Sequence, residues 1–225
     1  MKYPNFREEK KLWQKGFKKV VGLDEAGRGS LAGPVVASAV VITTAKIKNQ
    51  ISKIKNTNQN LKLLTKIKDS KKLSLKKREK LYKLIIKSPF IEWGIGMVSE
   101  KVIDKINIKN AAELAMERVL KNLEKKIKKR ADFLIIDGNH LKNLQLTTYN
   151  LKLLIKADER VFSCAAASII AKVTRDRIMK KYHQKYPQYG FDKHKGYPTN
   201  LHLKMLRKYG PCKIHRKSFK PNLPD

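Results

Sequence analysis

Four acids in this 225-residue chain stand where residue type and spacing suit chemistry: Asp24 and Glu25 in VVGLDEAG, Asp137 in FLIIDG and Asp158 in LKLLIKAD. Each follows a short apolar run of the kind that forms a buried strand. On that reading Asp24 and Glu25 close one strand, Asp137 a second and Asp158 a third. Ligand sites in open α/β sheets form at strand ends, and carboxylates gathered there repel one another unless a hard cation neutralises them. An all-oxygen donor set without cysteine or convergent histidine selects Mg²⁺ or Mn²⁺, and a pair of such ions suits phosphoryl transfer. Taken singly, each acid also fits a plainer role: Asp137-Gly138-Asn139 makes a turn, and Asp158 caps a following helix.

The chain carries 52 basic and 19 acidic residues, a formal net charge of +33. Such a surface attracts polyanions and releases counterions when it neutralises phosphates, so nucleic acid is the default partner. Only ten of the basic residues are arginine, and the lysines accompany many isoleucines and asparagines. AT-rich codon drift produces the same bias, so charge alone assigns no function. The rival class is a non-enzymatic basic RNA-binding or ribosome-associated protein whose acids are structural.

Gly27, Gly29 and Ala32 spell G-x-G-x-x-A directly after the first acids. A dinucleotide cradle needs strand, glycine turn and then helix, because the helix N-terminus holds the pyrophosphate. Here Pro34, Val35 and Val36 follow, so the next element is a strand. The acid expected about 20 residues on for the ribose is absent, and the cofactor reading fails.

The elements that must carry these residues form an α/β pattern. KKVVGLDEAG and PVVASAVVIT predict a hairpin joined by the glycines. Residues 46–68 read as a long polar loop or frayed helix. Ser74 opens a helix with Leu75, Leu81, Leu84 and Ile85 on one side, closed by Pro89, and FIEWGIGMVS makes a third strand. Met116, Val119, Leu120, Leu123 and Ile127 mark an amphipathic helix. FLIIDG and LKLLIKAD follow as strands, and a long alanine-rich helix begins near Phe162. Along that helix Ser168, Lys172 and Arg175 recur at i, i+4 and i+7, a face suited either to phosphates or to solvent. The boundary falls near Tyr186: a main unit over 1–186 and a helical or loop-like extension over 187–225. No apolar run reaches the ~18–20 residues of a membrane span, and the polar start has no signal-peptide core, so a cytoplasmic protein is expected. Cys164 and Cys212 have no C-x-x-C spacing and suit reduced thiols.

Several longer motifs, in order, are DEAGRGSLAGPV, DSKKLSLKKREKLY, IDKINIKNAAELAM, LIIDGN, AAASIIAKVTRDRIM, YGFDKHKGYPT and YGPCKIHRKSF. Together they resemble the ribonuclease HII family over nearly the whole chain. The resemblance implies a ribonuclease H-like fold: a five-stranded mixed sheet flanked by helices, with a C-terminal helical extension. It implies a monomeric, metal-dependent endonuclease using two Mg²⁺ or Mn²⁺ ions held by Asp24, Glu25, Asp137 and Asp158. Its substrates would be RNA/DNA hybrids and duplex DNA containing single ribonucleotides, cut to leave 3′-hydroxyl and 5′-phosphate ends. The family's substrate contacts fall on Gly27, Arg28 and Gly29, on Tyr197, and on Lys71 and Lys72. Ribonuclease HIII usually has Glu at the last acidic position and a long N-terminal extension, and this chain has neither. Ala157 and Glu159-Arg160-Val161 depart from the family's usual residues around the last acid. A geometric difficulty remains, because adjacent strand residues such as Asp24 and Glu25 face opposite sides of a sheet.

Overall fold

The structure, a computed structural model, describes residues 4–43, 67, 73–142 and 145–220. In chain order the elements are α1 (Arg7–Gln14), β1 (Val20–Ala26), β2 (Val35–Ile42), α2 (Leu75–Lys87), β3 (Ile91–Val98) and α3 (Glu100–Ile127). β4 (Phe133–Asp137), β5 (Leu151–Leu154), α4 (Phe162–Lys185), the single turn α5 (Phe191–His194) and α6 (Asn200–Tyr209) follow. The strands form one sheet in the order β3-β2-β1-β4-β5. β1, β2 and β3 pair antiparallel, and β4 and β5 add in parallel to β1, giving the expected mixed sheet.

Strand alternation divides the core. Val21, Leu23, Leu134 and Ile136 face α3, where Met116, Val119, Leu120 and Leu123 bury the predicted stripe. Burial of each such aliphatic side chain contributes about 1.5–3 kcal/mol. On the other face α4 packs Ala165, Ala166, Ile169 and Ile170 against Val40 and Ile42 of β2 and Leu81 and Ile85 of α2. Gly22 of β1 lets the start of α4 approach closely: a Cβ there would lie 2.5 Å from the backbone of Ser163. Ser74 caps α2 as predicted, accepting the Lys77 N–H.

One helix was not foreseen, and three local readings are corrected. Helix α1, too polar to show a stripe, is anchored by Glu9, which is 0% exposed. Its carboxylate accepts the Ser163 N–H and hydroxyl at 2.9 Å each and so caps the start of α4. α3 begins before the predicted stripe and breaks at Asn107 (φ 62), whose side chain accepts from Lys109 and Asn110 and restarts the helix. Leu75 is 51% exposed, because the first turn of α2 precedes its contact with the sheet. Asp158 does not end a strand: β5 stops at Leu154, and a left-handed Lys156 leads into a 3₁₀ turn, Ala157–Glu159. Apart from the buried Ile67, the segment 46–68 lies outside the described residues.

The residues after Pro187 return to the start of the fold. Phe191, Tyr189 and Ile214 share a cluster with Met179 of α4 and Ala32, and His215 forms a bridge with Ala32. Among the described residues no helix is long and apolar enough to cross a membrane.

Candidate active site

Register explains how distant acids meet. β1 and β4 run parallel with Leu23 opposite Ile136, so one residue further on Asp24 and Asp137 are neighbours on the α4 face. Asp137 Oδ1 accepts the Ala157 N–H at 2.9 Å, which fixes the turn that carries Asp158. Carboxylate oxygens of Asp24, Asp137 and Asp158 all lie within 4.8 Å of one another. Asp24 and Asp158 are only 5% and 3% exposed. Burial first, then the charges of Glu25 and Asp137, push the Asp24 carboxyl well above the ordinary carboxylate range, while a hydrogen bond from Ser168 opposes the rise. Three crowded oxygen donors, two of them buried and Asp137 half-buried, fit a hard divalent cation.

Of the four acids expected from the sequence, Asp24, Asp137 and Asp158 form the close group, and Glu25 adjoins it. Glu25 Oε1 lies 3.1 Å from Arg28 Nη1. Glu25 still borders the cluster, since its charge is the second cause of the rise at Asp24.

The turn after β1 runs directly beside these acids. Gly27 has φ +100, and a Cβ there would collide with Arg175 Nε, so the fold itself requires glycine. Gly29 differs: it is exposed, and a Cβ built there meets nothing within 4 Å. Nothing in the fold asks for glycine at that position.

The predicted phosphate face on α4 turns inward. Ser168 is 4% exposed and bonds Asp24. Arg175 is 0% exposed, with its guanidinium donated to the carbonyls of Pro34 (2.9 Å), Lys195 (2.9 Å) and Ala32 (3.0 Å). Both are therefore corrected from phosphate contacts, Ser168 to a partner of Asp24 and Arg175 to a group under the loop after β1, because this side of α4 covers β1 and the loop that follows it. Lys172 stays partly accessible, 2.7 Å from Asp176 and 5.4 Å from the Tyr197 ring. Tyr197 lies against the same face, with the Arg175 guanidinium 5.4 Å from its ring. Lys71 and Lys72 lie outside the described residues.

Two further features lie behind the turn: a histidine pair, of which the sequence marked only His215, as a structural hydrogen-bonding residue, and an arginine it did not mark. His202 and His215 meet through their Nε2 atoms at 3.0 Å. The Cys212 N–H donates to His215 Nδ1 at 2.8 Å, and His202 Nδ1 faces the Tyr197 carbonyl at 3.0 Å. One neutral arrangement satisfies all three contacts: His215 Nε2–H donates to His202, and His202 Nδ1–H donates to Tyr197. Burial pushes both rings down to about 4, so they stay neutral around pH 7 and hold the Tyr197 backbone. The second feature is Arg216, 2% exposed, whose guanidinium reaches the turn. Neither has a periodic signal, and only the residue types within HKGYPT and KIHRKSF marked those stretches.

Residues 21–222 match the family described as Ribonuclease HII. The chain belongs to the ribonuclease HII family. Ribonuclease HII of Caldicellulosiruptor bescii is 45% identical over 218 residues, covering 97% of this chain and 94% of that relative. Among solved structures, ribonuclease H2 from Pyrococcus horikoshii OT3 matches with a TM-score of 0.67 at 27% identity, over 90% of this chain and 94% of the other. Bst-RNase HIII in complex with Mn²⁺ shares the fold, with a TM-score of 0.58 at 19% identity over 85% of this chain and 63% of its own. This ribonuclease HII family member is a ribonuclease H endonuclease that acts on nucleic acid and depends on divalent metal. The non-enzymatic reading is set aside.

Proposed function

We propose that the enzyme cuts the RNA strand of RNA/DNA hybrids and nicks duplex DNA 5′ of a single embedded ribonucleotide, leaving 3′-hydroxyl and 5′-phosphate ends. One observation carries this reading. Three carboxylates within 4.8 Å adjoin a turn whose exposed Gly29 the fold itself does not need. Asp24, Asp137 and Asp158 would hold Mg²⁺ or Mn²⁺, with Glu25 adding charge at the edge. When bound, a pair of such ions lowers the pKa of an attacking water and stabilises the leaving 3′-oxygen.

The chain's own groups do the rest. Ser168 orients Asp24 by its hydrogen bond. Gly27, Arg28 and Gly29 bring backbone N–H groups to the 2′-hydroxyl, the group that separates RNA from DNA. Tyr197 packs on the deoxyribose that follows the ribonucleotide. Lys172, Lys71 and Lys72 supply phosphate contacts among the many lysines. The division into a catalytic unit over 1–186 and an extension over 187–225, the monomeric state and a cytoplasmic setting belong to the same proposal.

The test is a duplex DNA with one ribonucleotide, incubated with Mg²⁺ or Mn²⁺ beside an all-DNA control. A nick 5′ of the ribonucleotide and an intact control are expected. Folded protein that makes no nick with either ion would refute the reading.

Gly29→Ala separates substrate approach from folding. With open space around the Cβ and no left-handed φ, stability should hold or rise by about 0.4–1 kcal/mol through the unfolded chain's lost freedom. Nicking should nevertheless fall about tenfold to a hundredfold, because a methyl group displaces the substrate from reacting geometry. Thermal unfolding and single-turnover cleavage read the two effects; unchanged cleavage would withdraw Gly29 from the substrate turn.

A further inference from the structure

We propose that Arg216 is a positioning residue that aims the amide edge of the Gly27–Arg28–Gly29 turn at the substrate. Its Nη1 donates to the Arg28 carbonyl at 3.0 Å, and its Nη2 donates to the Gly27 carbonyl at 2.7 Å. Nε and Nη2 both donate to the Gly33 carbonyl, at 3.0 and 2.9 Å. The Arg216 backbone N–H takes the Leu31 carbonyl at 2.8 Å, and Arg175 takes those of Ala32 and Pro34. Six carbonyls of residues 27–34 are thus drawn to one side by two buried arginines.

The consequence follows from peptide geometry. In a trans peptide the C=O and the next N–H point in opposite directions. With the Gly27 and Arg28 carbonyls held inward by Arg216, the N–H groups of Arg28 and Gly29 are turned the other way, and these are the turn's two exposed residues. Consecutive outward amides form a donor pair for an electronegative atom, either a hydroxyl or a phosphate oxygen.

The clamp comes at a cost that a passive turn would not require. Burying a cation is unfavourable unless it is paired and fully bonded, and here the bonds go to neutral carbonyls. Among the described residues no carboxylate forms an ion pair with Arg216. Burial and the nearby Arg175 push its guanidinium down to about 9, consistent with that strain. A lysine would supply charge without the planar fork that reaches three carbonyls at once.

The inference rests on the substrate reading given above, and the experiment separates the two. Wild type, Arg216→Lys and Arg216→Gln are compared for binding a single-ribonucleotide duplex and an all-DNA duplex of the same sequence, in EDTA. Cleavage with Mn²⁺, thermal unfolding and the Mn²⁺-induced rise in melting temperature are measured alongside. Wild type should prefer the ribonucleotide duplex. Arg216→Gln should lose that preference and about 10²-fold in cleavage, with all-DNA affinity and the Mn²⁺-induced rise unchanged. Arg216→Lys should fall between the two. If wild type shows no preference, the substrate reading fails and takes the role of Arg216 with it. If wild type discriminates and Arg216→Gln does so equally well, the positioning role alone is overturned. Failure of both variants to fold would make Arg216 a general stability residue and likewise overturn it.

Discussion

Asp137→Asn is expected to abolish nicking, with single-turnover rates falling by at least about three orders of magnitude, ~4 kcal/mol of barrier. Asparagine keeps the shape of the side chain. Its amide oxygen can still accept the Ala157 N–H that holds the turn bearing Asp158. What it loses is the negative charge beside Asp24 and Asp158, and with it the pull on a divalent cation. Duplex affinity should change little, because a chain of formal charge +33 draws its binding from lysines and counterion release. Fluorescence anisotropy in EDTA checks the affinity, and parallel loss of binding and cleavage would make Asp137 structural.

Asp24→Asn should stabilise the metal-free protein and remove its response to metal. The folded Asp24 carboxyl is pushed above its ordinary value by burial and by Glu25 and Asp137. The native state therefore binds more protons than the unfolded chain, and stability falls as pH rises. The contribution of Asp24 is fully present below its unfolded pKa of about 3.9 and is lost as pH climbs through the raised folded value. Asparagine does not titrate, so the variant's advantage should be small near pH 4 and largest at neutral pH and above. An advantage of 1 kcal/mol appears as about 2–4 °C in melting temperature for a chain of this size. Adding Mn²⁺ or Mg²⁺ at a hundred times its dissociation constant should add about 2.7 kcal/mol to wild type and far less to the variant. The order of stability then reverses with metal. A variant no more stable than wild type at neutral pH, without metal, would show that the cluster carries no such repulsion.

Much of this site was legible in the chain. Apolar runs ending in Asp24 and Asp137 identified two strands, and alternation raised the question of how Glu25 could reach the side of Asp24. Asp158 was placed on the wrong kind of element, because the strand ends after four residues, and Ile155 and a left-handed Lys156 intervene before its turn. Helical spacing correctly grouped Ser168, Lys172 and Arg175 on one face. It could not say what that face covers, and an arginine on a basic surface looks the same in sequence as one buried beneath a loop. Arg216 was invisible for a related reason. Its side-chain partners lie on a distant segment, at 183 to 189 residues' separation, and no local pattern encodes such contacts.

That separation has a consequence for the chain's construction. The strands carrying Asp24 and Asp137 lie within the first 137 residues, whereas the turn beside them draws its bonds from Arg216, almost at the far end of the chain. A chain clipped ahead of residue 216 would keep its acids but lose the brace on the turn. Under the role proposed for Arg216, such a chain would hold metal and still lose its preference for a ribonucleotide.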